Sequence, residues 1–307
     1  VTTSYKLELR KGTVIVGKWK RRQYRVEKLL GEGANGKVYL VEHGRAWYAM
    51  KVGMDAVDLQ SEINVLQTIA GQRRSGREAF LIDVDDFVSI GGREHPFYIM
   101  RYVRGVTLTQ FMERHGAEWF PLLGLHLLNR LSDLHRAGWV FGDLKMENVM
   151  ALDYGHVELI DYGGVTAAGK SVRQFTEIYD RGYWNMGSRS ADSGYDLFSF
   201  GVLCLQLHEP KRLLQLTKEL LPQNRSAEEL LELAEGHAAL KPYAGWLSRA
   251  FHGGFQSTAE ASELWRQLMH RRELARHNGV PLWMKGLFAA SVLLLAGSVY
   301  WLLRNGL

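Results

Sequence analysis

The sequence predicts an α+β chain of two lobes, the first small and β-rich, the second helical, followed by one membrane-crossing helix. Three observations predict it. From Tyr24 to Tyr102 the pattern favours short β-branched and aromatic strands such as KVYLVE, WYAMKV and FYIMRYV. After Thr107 and Leu108, long helical patterns take over. Near the C-terminus runs an uncharged apolar stretch.

With 307 residues, 46% hydrophobic and 23% charged, the chain can bury a sizeable core in one large domain or two lobes, which excludes a disordered chain. The single cysteine, Cys204, lies in the apolar run LFSFGVLCLQL and reads as a small buried hydrophobe. No disulfide framework or thiolate metal site can form within one chain. A formal charge of +5 is a modest excess that implies an acidic partner only weakly. The opening VTTSYKLELRKG lacks the apolar core of a signal peptide, so no export signal is expected at the front.

Residues 1–22 are expected to form an N-terminal extension and 23–102 the small lobe, whose one helical stretch is VDLQSEINVLQTIA. Residues 103–268 form the helical lobe. Its helices are AEWFPLLGLHLLNRLSDLHRAG, YDLFSFGVLCLQLHE and a run from Ser226 to His270. Between the first two lie the short apolar strands NVMAL and HVELI, a hairpin carrying polar loops. There is no internal repeat or low-complexity tract. The lobes join near Met100 to Arg104 and leave a cleft, a common place for ligands.

Between Lys285 and Arg304 lie 18 uncharged residues, GLFAASVLLLAGSVYWLL. As a helix they span about 27 Å, close to the hydrocarbon thickness of about 30 Å. Trp283, Tyr300 and Trp301 sit where interfacial aromatics belong. His270, Arg271, Arg272, Arg276, His277 and Lys285 precede the span and only Arg304 follows it. The positive-inside rule then puts the two lobes in the cytoplasm, on a single-pass cell-membrane protein. The expected limits are a basic linker over 269–282, the span over 283–303 and a tail over 304–307.

Chemistry is carried by residues spread along both lobes. LGEGANGKVYL gives Gly31, Gly33 and Gly36, then Val38. A strand follows the glycines, whereas a dinucleotide fold requires a helix there, so they suit a hairpin lid over phosphates. Lys51 stands in the apolar strand YAMKV, with Ala49 two places before it. A lysine buried there needs a partner, and Glu62 on the following helix is the natural one. The loop FGDLKMENVM supplies Asp143, placed to take or orient a hydroxyl proton. It also supplies Lys145, suited to neutralising a transferring phosphoryl group, and Asn148, able to hold a metal ion. Asp161 in IDYGG, at the end of a buried strand, suits a magnesium ligand. Singly each is compatible with a turn or cap; five in this order are hard to reconcile with chance.

In this order and spacing the chain resembles the eukaryotic-like (Hanks-type) Ser/Thr protein kinases over roughly Gln23 to Gln267. GEGANGKV looks like the glycine-rich loop, AMK like the strand lysine, GDLKMEN like the catalytic loop and DYG like the metal-binding triplet. The resemblance implies a protein-kinase-like fold and ATP with Mg2+. Val38, Ala49, Met100, Arg101 and Val103 would line the nucleotide site, with Met100 before the hinge. Asp196 in SGYDLFSFGV would anchor the catalytic loop from beneath. GKWKRRQY, GAEW, GWVFGDLK and FTEIYDRGYW further resemble small, C-terminally anchored kinases of spore-forming Gram-positive bacteria, associated with sporulation. DNA binding as an activating signal is also implied within that group.

There are departures from the family pattern. Gly142 stands where many kinases carry the arginine that pairs with a phosphorylated activation loop, so switching on is not expected to need that contact. Phe141 and Tyr162 replace the usual histidine and phenylalanine and are expected to pack as one apolar spine. EIYDRGYW lacks the glutamate of the family's Ala-Pro-Glu triplet, and GFQSTAE near Gln256 lacks the arginine that would be its partner. Losing both halves of such a pair costs far less than losing one.

The leading reading is an ATP-dependent protein Ser/Thr kinase with autophosphorylation. Thr166, Ser171 and Thr176 are the candidate sites, read as exposed loop hydroxyls. A small-molecule phosphotransferase and a catalytically silent scaffold are the alternatives. YDLFSFGV and the lysine of DLK argue against the first. Retention of Lys51, Glu62, Asp143, Asn148 and Asp161 argues against the second. Protein substrates are the expected partners, with transient homodimers on the membrane. The basic cluster before the span suits anionic lipid headgroups. The cluster of Lys18, Lys20, Arg21 and Arg22 around Trp19 reads as an exposed strand edge, or as a DNA contact if the resemblance extends that far.

Overall fold

The computed structural model describes residues 7–33, 36–72, 80–277 and 282–306. The small lobe is a six-stranded antiparallel sheet. Its strands are β1 (Val14–Val16), β2 (Gln23–Gly33), β3 (Gly36–His43), β4 (Ala46–Gly53), β5 (Leu81–Val88) and β6 (Glu94–Arg101). They are ordered β1-β2-β3-β4-β6-β5, with helix α1 (Ala56–Gln72) between β4 and β5 in sequence. β1, within the expected N-terminal extension, pairs with β2 and so belongs to this sheet.

Side-chain alternation along β4 divides the lobe's two faces. Met50 and Val52 join Ile15, Tyr24, Val26, Val41, Phe97 and Ile99 on one face. Ala49 packs on the other, with Tyr98, Met100 and the α1 residues Leu59, Ile63 and Leu66, continuous with the main core. α1 thus lies on the cleft side, and the face bearing Lys51 is directed at the second lobe.

The second lobe begins with β7 (Val106–Thr107) and α2 (Leu108–His115). Thr107 and Gln110 close a reciprocal capping box at the α2 N-terminus. α3 (Phe120–Arg136) leads through β8 (Trp139–Val140) to the antiparallel hairpin of β9 (Val149–Ala151) and β10 (Val157–Leu159), and β11 (Thr166–Ala167) pairs with β8. α4 (Ser193–His208), capped by Asp192, is buried along most of its length, as an apolar sequence all round requires. Cys204 is buried within it. α5 (Pro210–Glu219), α6 (Ala227–Gly236), α7 (Ala244–Phe251) and α8 (Thr258–His277) complete the lobe.

α8 is locked onto α3 by Trp265, which is fully buried and donates its Nε1–H to the Pro121 carbonyl at 2.8 Å. A Cβ on Gly124 would lie 2.7 Å from that indole, so glycine is what permits the close approach. α9 (Leu282–Asn305) follows. Its segment Gly286–Arg304 has mean hydropathy 1.9 and no buried residue in its apolar window, and it is long and apolar enough to cross a membrane. The bilobal α+β architecture expected from the sequence is the one observed.

Candidate active site

Two strands and two loops bring the polar groups into the cleft. In the β3–β4 ladder Val38 is the cross-strand partner of Lys51, and in the β4–β6 ladder Ala49 is the partner of Met100. Gly31, Gly33 and Gly36 lie on the β2–β3 hairpin, whose tip residues Ala34 and Asn35 are outside the described residues. Only Gly36 needs to be glycine for local reasons: its φ is +143°, and a Cβ would meet the Val52 carbonyl oxygen at 2.1 Å. A Cβ on Gly31 or Gly33 meets nothing within 4 Å, so local packing does not demand glycine at either place.

The Lys51 amine, almost wholly buried, donates to Glu62 Oε1 at 2.9 Å, to Glu62 Oε2 at 2.8 Å and to Asp161 Oδ1 at 2.8 Å. Burial alone favours a neutral amine, but the two carboxylates outweigh it and hold the lysine pKa up. Burial pushes the Glu62 carboxyl up, against the pull of Lys51. Burial also acts upward on Asp161, yet Lys51 outweighs it and keeps that carboxyl below its usual range. Tyr98 donates its hydroxyl to Glu62 at 2.8 Å and fixes the glutamate from behind.

Asp161 lies in the left-handed region, φ +60°, a strained conformation for a non-glycine residue. Its side chain remains 48% exposed at the floor of the open cleft. Tyr162 beside it packs edge-on against Phe141, ring centroids 6.0 Å apart, and against Phe80.

Asp143 gathers a second set of contacts. Lys145 Nζ lies 2.6 Å from Oδ2, and Thr176 donates its hydroxyl to Oδ1 at 3.0 Å. Asn148 donates its amide to the Asp143 carbonyl at 2.9 Å, which leaves the amide oxygen as the atom able to ligate a cation. Asp196, fully buried, accepts the backbone N–H groups of Phe141 and Gly142 at 2.7 and 2.9 Å. His135 bridges Asp196 to Thr258 at the start of α8.

Asn148 and Asp161 together offer hard oxygen donors from two loops, and no cluster of three or more His, Cys, Asp or Glu suited to a metal occurs among the described residues. This fits Mg2+, which is held by one or two protein oxygens together with phosphate oxygens rather than by a protein cage. At the hinge, Val103 is buried and Arg101 reaches Glu158 of β10 at 3.5 Å, tying the lobes together.

One expectation is corrected by the structure, and two others gain partners that the sequence did not show. Thr166 is not an exposed loop hydroxyl: it sits in β11, 2% exposed, and donates to the Gly164 carbonyl because β8 pairing draws it inward. Ser171 is exposed, and Thr176 is half-buried by its contact with Asp143. The segment after Thr176 is held instead by an ion pair of another kind, in which the buried Arg225 reaches the half-exposed Glu177 at 2.8 Å. The cluster around Trp19 is largely exposed, as expected, and most of its cations are paired within the chain. Lys20 and Arg22 pair with Asp83, Lys18 pairs with Glu94, and the Trp19 indole donates to Asp86. Asp85 accepts the backbone N–H groups of Trp19 and Lys20.

The alternation of LIDVDDFV carries the signal for this last feature. A period of two puts Asp83, Asp85 and Phe87 on one face, and acids on a buried face require cations. In the second basic cluster His270 and Arg271 are exposed; the side chains of Arg272, Arg276, His277 and Lys285 are outside the described residues.

The protein kinase domain family matches residues 24–279. Serine/threonine-protein kinase YabT of Bacillus subtilis is 35% identical over 283 residues, covering 91% of this chain and 80% of that protein. Ribosomal protein S6 kinase beta of Caenorhabditis elegans is 29% identical over 46% of this chain and 27% of its own length. Among solved structures, that of vaccinia related kinase 3 shares the fold with a TM-score of 0.61 at 16% identity, covering 87% of this chain and 93% of the other.

Proposed function

The chain belongs to the protein kinase domain family and is a protein Ser/Thr kinase, and we propose that its chemistry is carried out by Lys51, Glu62, Asp143, Lys145, Asn148 and Asp161. One observation carries this reading: Lys145, Asn148 and Thr176 converge on Asp143, on the opposite side of one cleft from Lys51 held between two carboxylates.

Asp143 accepts or orients the proton of the acceptor Ser or Thr hydroxyl. Lys145 offsets negative charge on the phosphoryl group in transit. Lys51, aimed by Glu62, binds the α and β phosphates of ATP beneath the bare backbone of Gly31, Gly33 and Gly36. Val38, Ala49, Met100, Arg101 and Val103 line the adenine side. The Asp161 carboxylate and the Asn148 amide oxygen would hold Mg2+, which would neutralise phosphate charge there. Asp196 holds the catalytic loop by its backbone.

The two lobes, the first beginning with β1 and running to residue 102 and the second over 103–268, face the cytoplasm, anchored by the span over 283–303. The composition of Gly286–Arg304 and the absence of buried residues in its apolar window support this. His270 and Arg271, with the basic residues that follow them, meet anionic headgroups. DNA contact through residues 18–22 has less support, because Asp83 and Glu94 already pair with three of the four cations. Ser171 is the exposed candidate for autophosphorylation, in transient homodimers. The resemblance to sporulation-associated kinases supports a signalling role in sporulation or DNA-linked stress.

The test is incubation of the full chain in detergent with labelled ATP and Mg2+, with phosphosites mapped and the membrane fraction extracted at alkaline pH. Label on Ser or Thr in a protein that resists extraction is expected. Transfer only to small alcohols, or release from the membrane by alkali, would refute it.

A further inference from the structure

We propose that Arg225 and Glu177 are a positioning pair that holds Thr176 against Asp143 and thereby sets the alignment of the acceptor hydroxyl. The inference rests on the reading of Asp143 as the group that meets the acceptor's proton.

Arg225 lies in the connection between α5 and α6 and is 3% exposed. Its Nε donates to the Leu220 carbonyl at 3.0 Å and its Nη2 to the Thr217 carbonyl at 2.8 Å. These carbonyls end α5, where no helical donor remains for them, so the guanidinium caps the helix while being fixed by it. Its Cζ lies 5.6 Å from the centre of the Trp184 ring. The planar fork thus has one direction left for Nη1, which is 2.8 Å from Glu177 Oε1. The N–H vector misses that oxygen, so the contact is one of charge.

Glu177 follows Thr176 directly, and the Thr176 hydroxyl bonds to Asp143 at 3.0 Å. Further along the same segment the Asn185 amide donates to the carbonyls of Pro222 and Arg225 at 2.9 and 2.8 Å. The segment from Thr176 to Asn185 is therefore fastened to one connection at both ends. Glu177 is 51% exposed, and a half-exposed carboxylate adds little to stability. What the pair controls is placement: a group about 1 Å out of line costs roughly a hundredfold in rate.

The experiment uses the full chain in detergent and, as acceptor, the most efficiently phosphorylated peptide of a Ser/Thr array. For Glu177→Gln, kcat/KM for the peptide is expected to fall between about tenfold and about a hundredfold, with the affinity for ATP unchanged and the thermal midpoint lowered no further than the unpaired, buried Arg225 requires. Arg225→Lys, which keeps the charge and loses the fork, is expected to give a smaller fall. Wild-type peptide kinetics in Glu177→Gln would overturn the proposal, and so would a loss of ATP affinity and thermal stability in step with rate. Asp143→Asn is assayed beside them. If it phosphorylates the peptide normally, the reading of Asp143 fails, whereas the pair is judged by Glu177→Gln against wild type.

Discussion

Asp196 accepts the backbone N–H of Gly142 at 2.9 Å, one residue before Asp143, and its other oxygen takes the N–H of Phe141 at 2.7 Å. A fully buried carboxylate on α4 therefore sets the backbone from which Asp143 projects. Asp196→Ala leaves two buried donors unmade, at about 1–3 kcal/mol each, and lets the loop drift. Phosphotransfer is expected to drop by about a hundredfold while ATP binding by titration calorimetry stays near wild type.

Gly142 is a backbone requirement as well as a missing arginine. Its φ is +80°, and a Cβ would meet the Gly164 carbonyl oxygen at 2.8 Å. Gly142→Arg is expected to lower stability by about 1–3 kcal/mol, read from the urea midpoint, and to raise activity in no condition.

Asp83 ties the β1–β2 turn to β5. Burial alone would push its carboxyl up, but Lys20, Tyr24 and the Val84 N–H outweigh it and hold it below the usual range. Its folded pKa is thus below the unfolded value of about 3.9. The unfolded chain binds the proton first as pH falls, so the stabilisation is complete above that value and is lost as pH drops through the folded one. Wild type should exceed Asp83→Asn in thermal midpoint at neutral pH, and the gap should close on acidification below about pH 4.

Lys51→Met leaves Glu62 and Asp161 facing each other without their shared cation. Breaking a buried pair from one side costs about 3–5 kcal/mol, so a lower thermal midpoint should accompany loss of ATP affinity. Lys51→Met together with Glu62→Leu should recover part of the midpoint and none of the affinity.

Both lobes, the apolar span and the order of the cleft residues were legible in the sequence because each rests on local signals: period-two strands, long amphipathic helices, and polar groups placed just after strands. Lys51 with Glu62 could be paired because a lysine in an apolar strand demands a carboxylate. What stayed hidden depends on which distant segments meet. Arg225 reads as a loop cation until α5 ends against it and Glu177 is brought over. The cations around Trp19 look free until β5 supplies Asp83 some 60 residues later. Thr166 looks like a loop hydroxyl until β8 pairs with its strand.

The most direct measurement is labelled phosphate transfer from ATP with Mg2+ to Ser or Thr by wild type and by Asp143→Asn, at equal ATP occupancy. Loss of a general base or proton-orienting group costs about 10²–10⁴-fold, so Asp143→Asn should fall by that factor with its fold and ATP affinity intact. Transfer by Asp143→Asn at the wild-type rate would contradict the account.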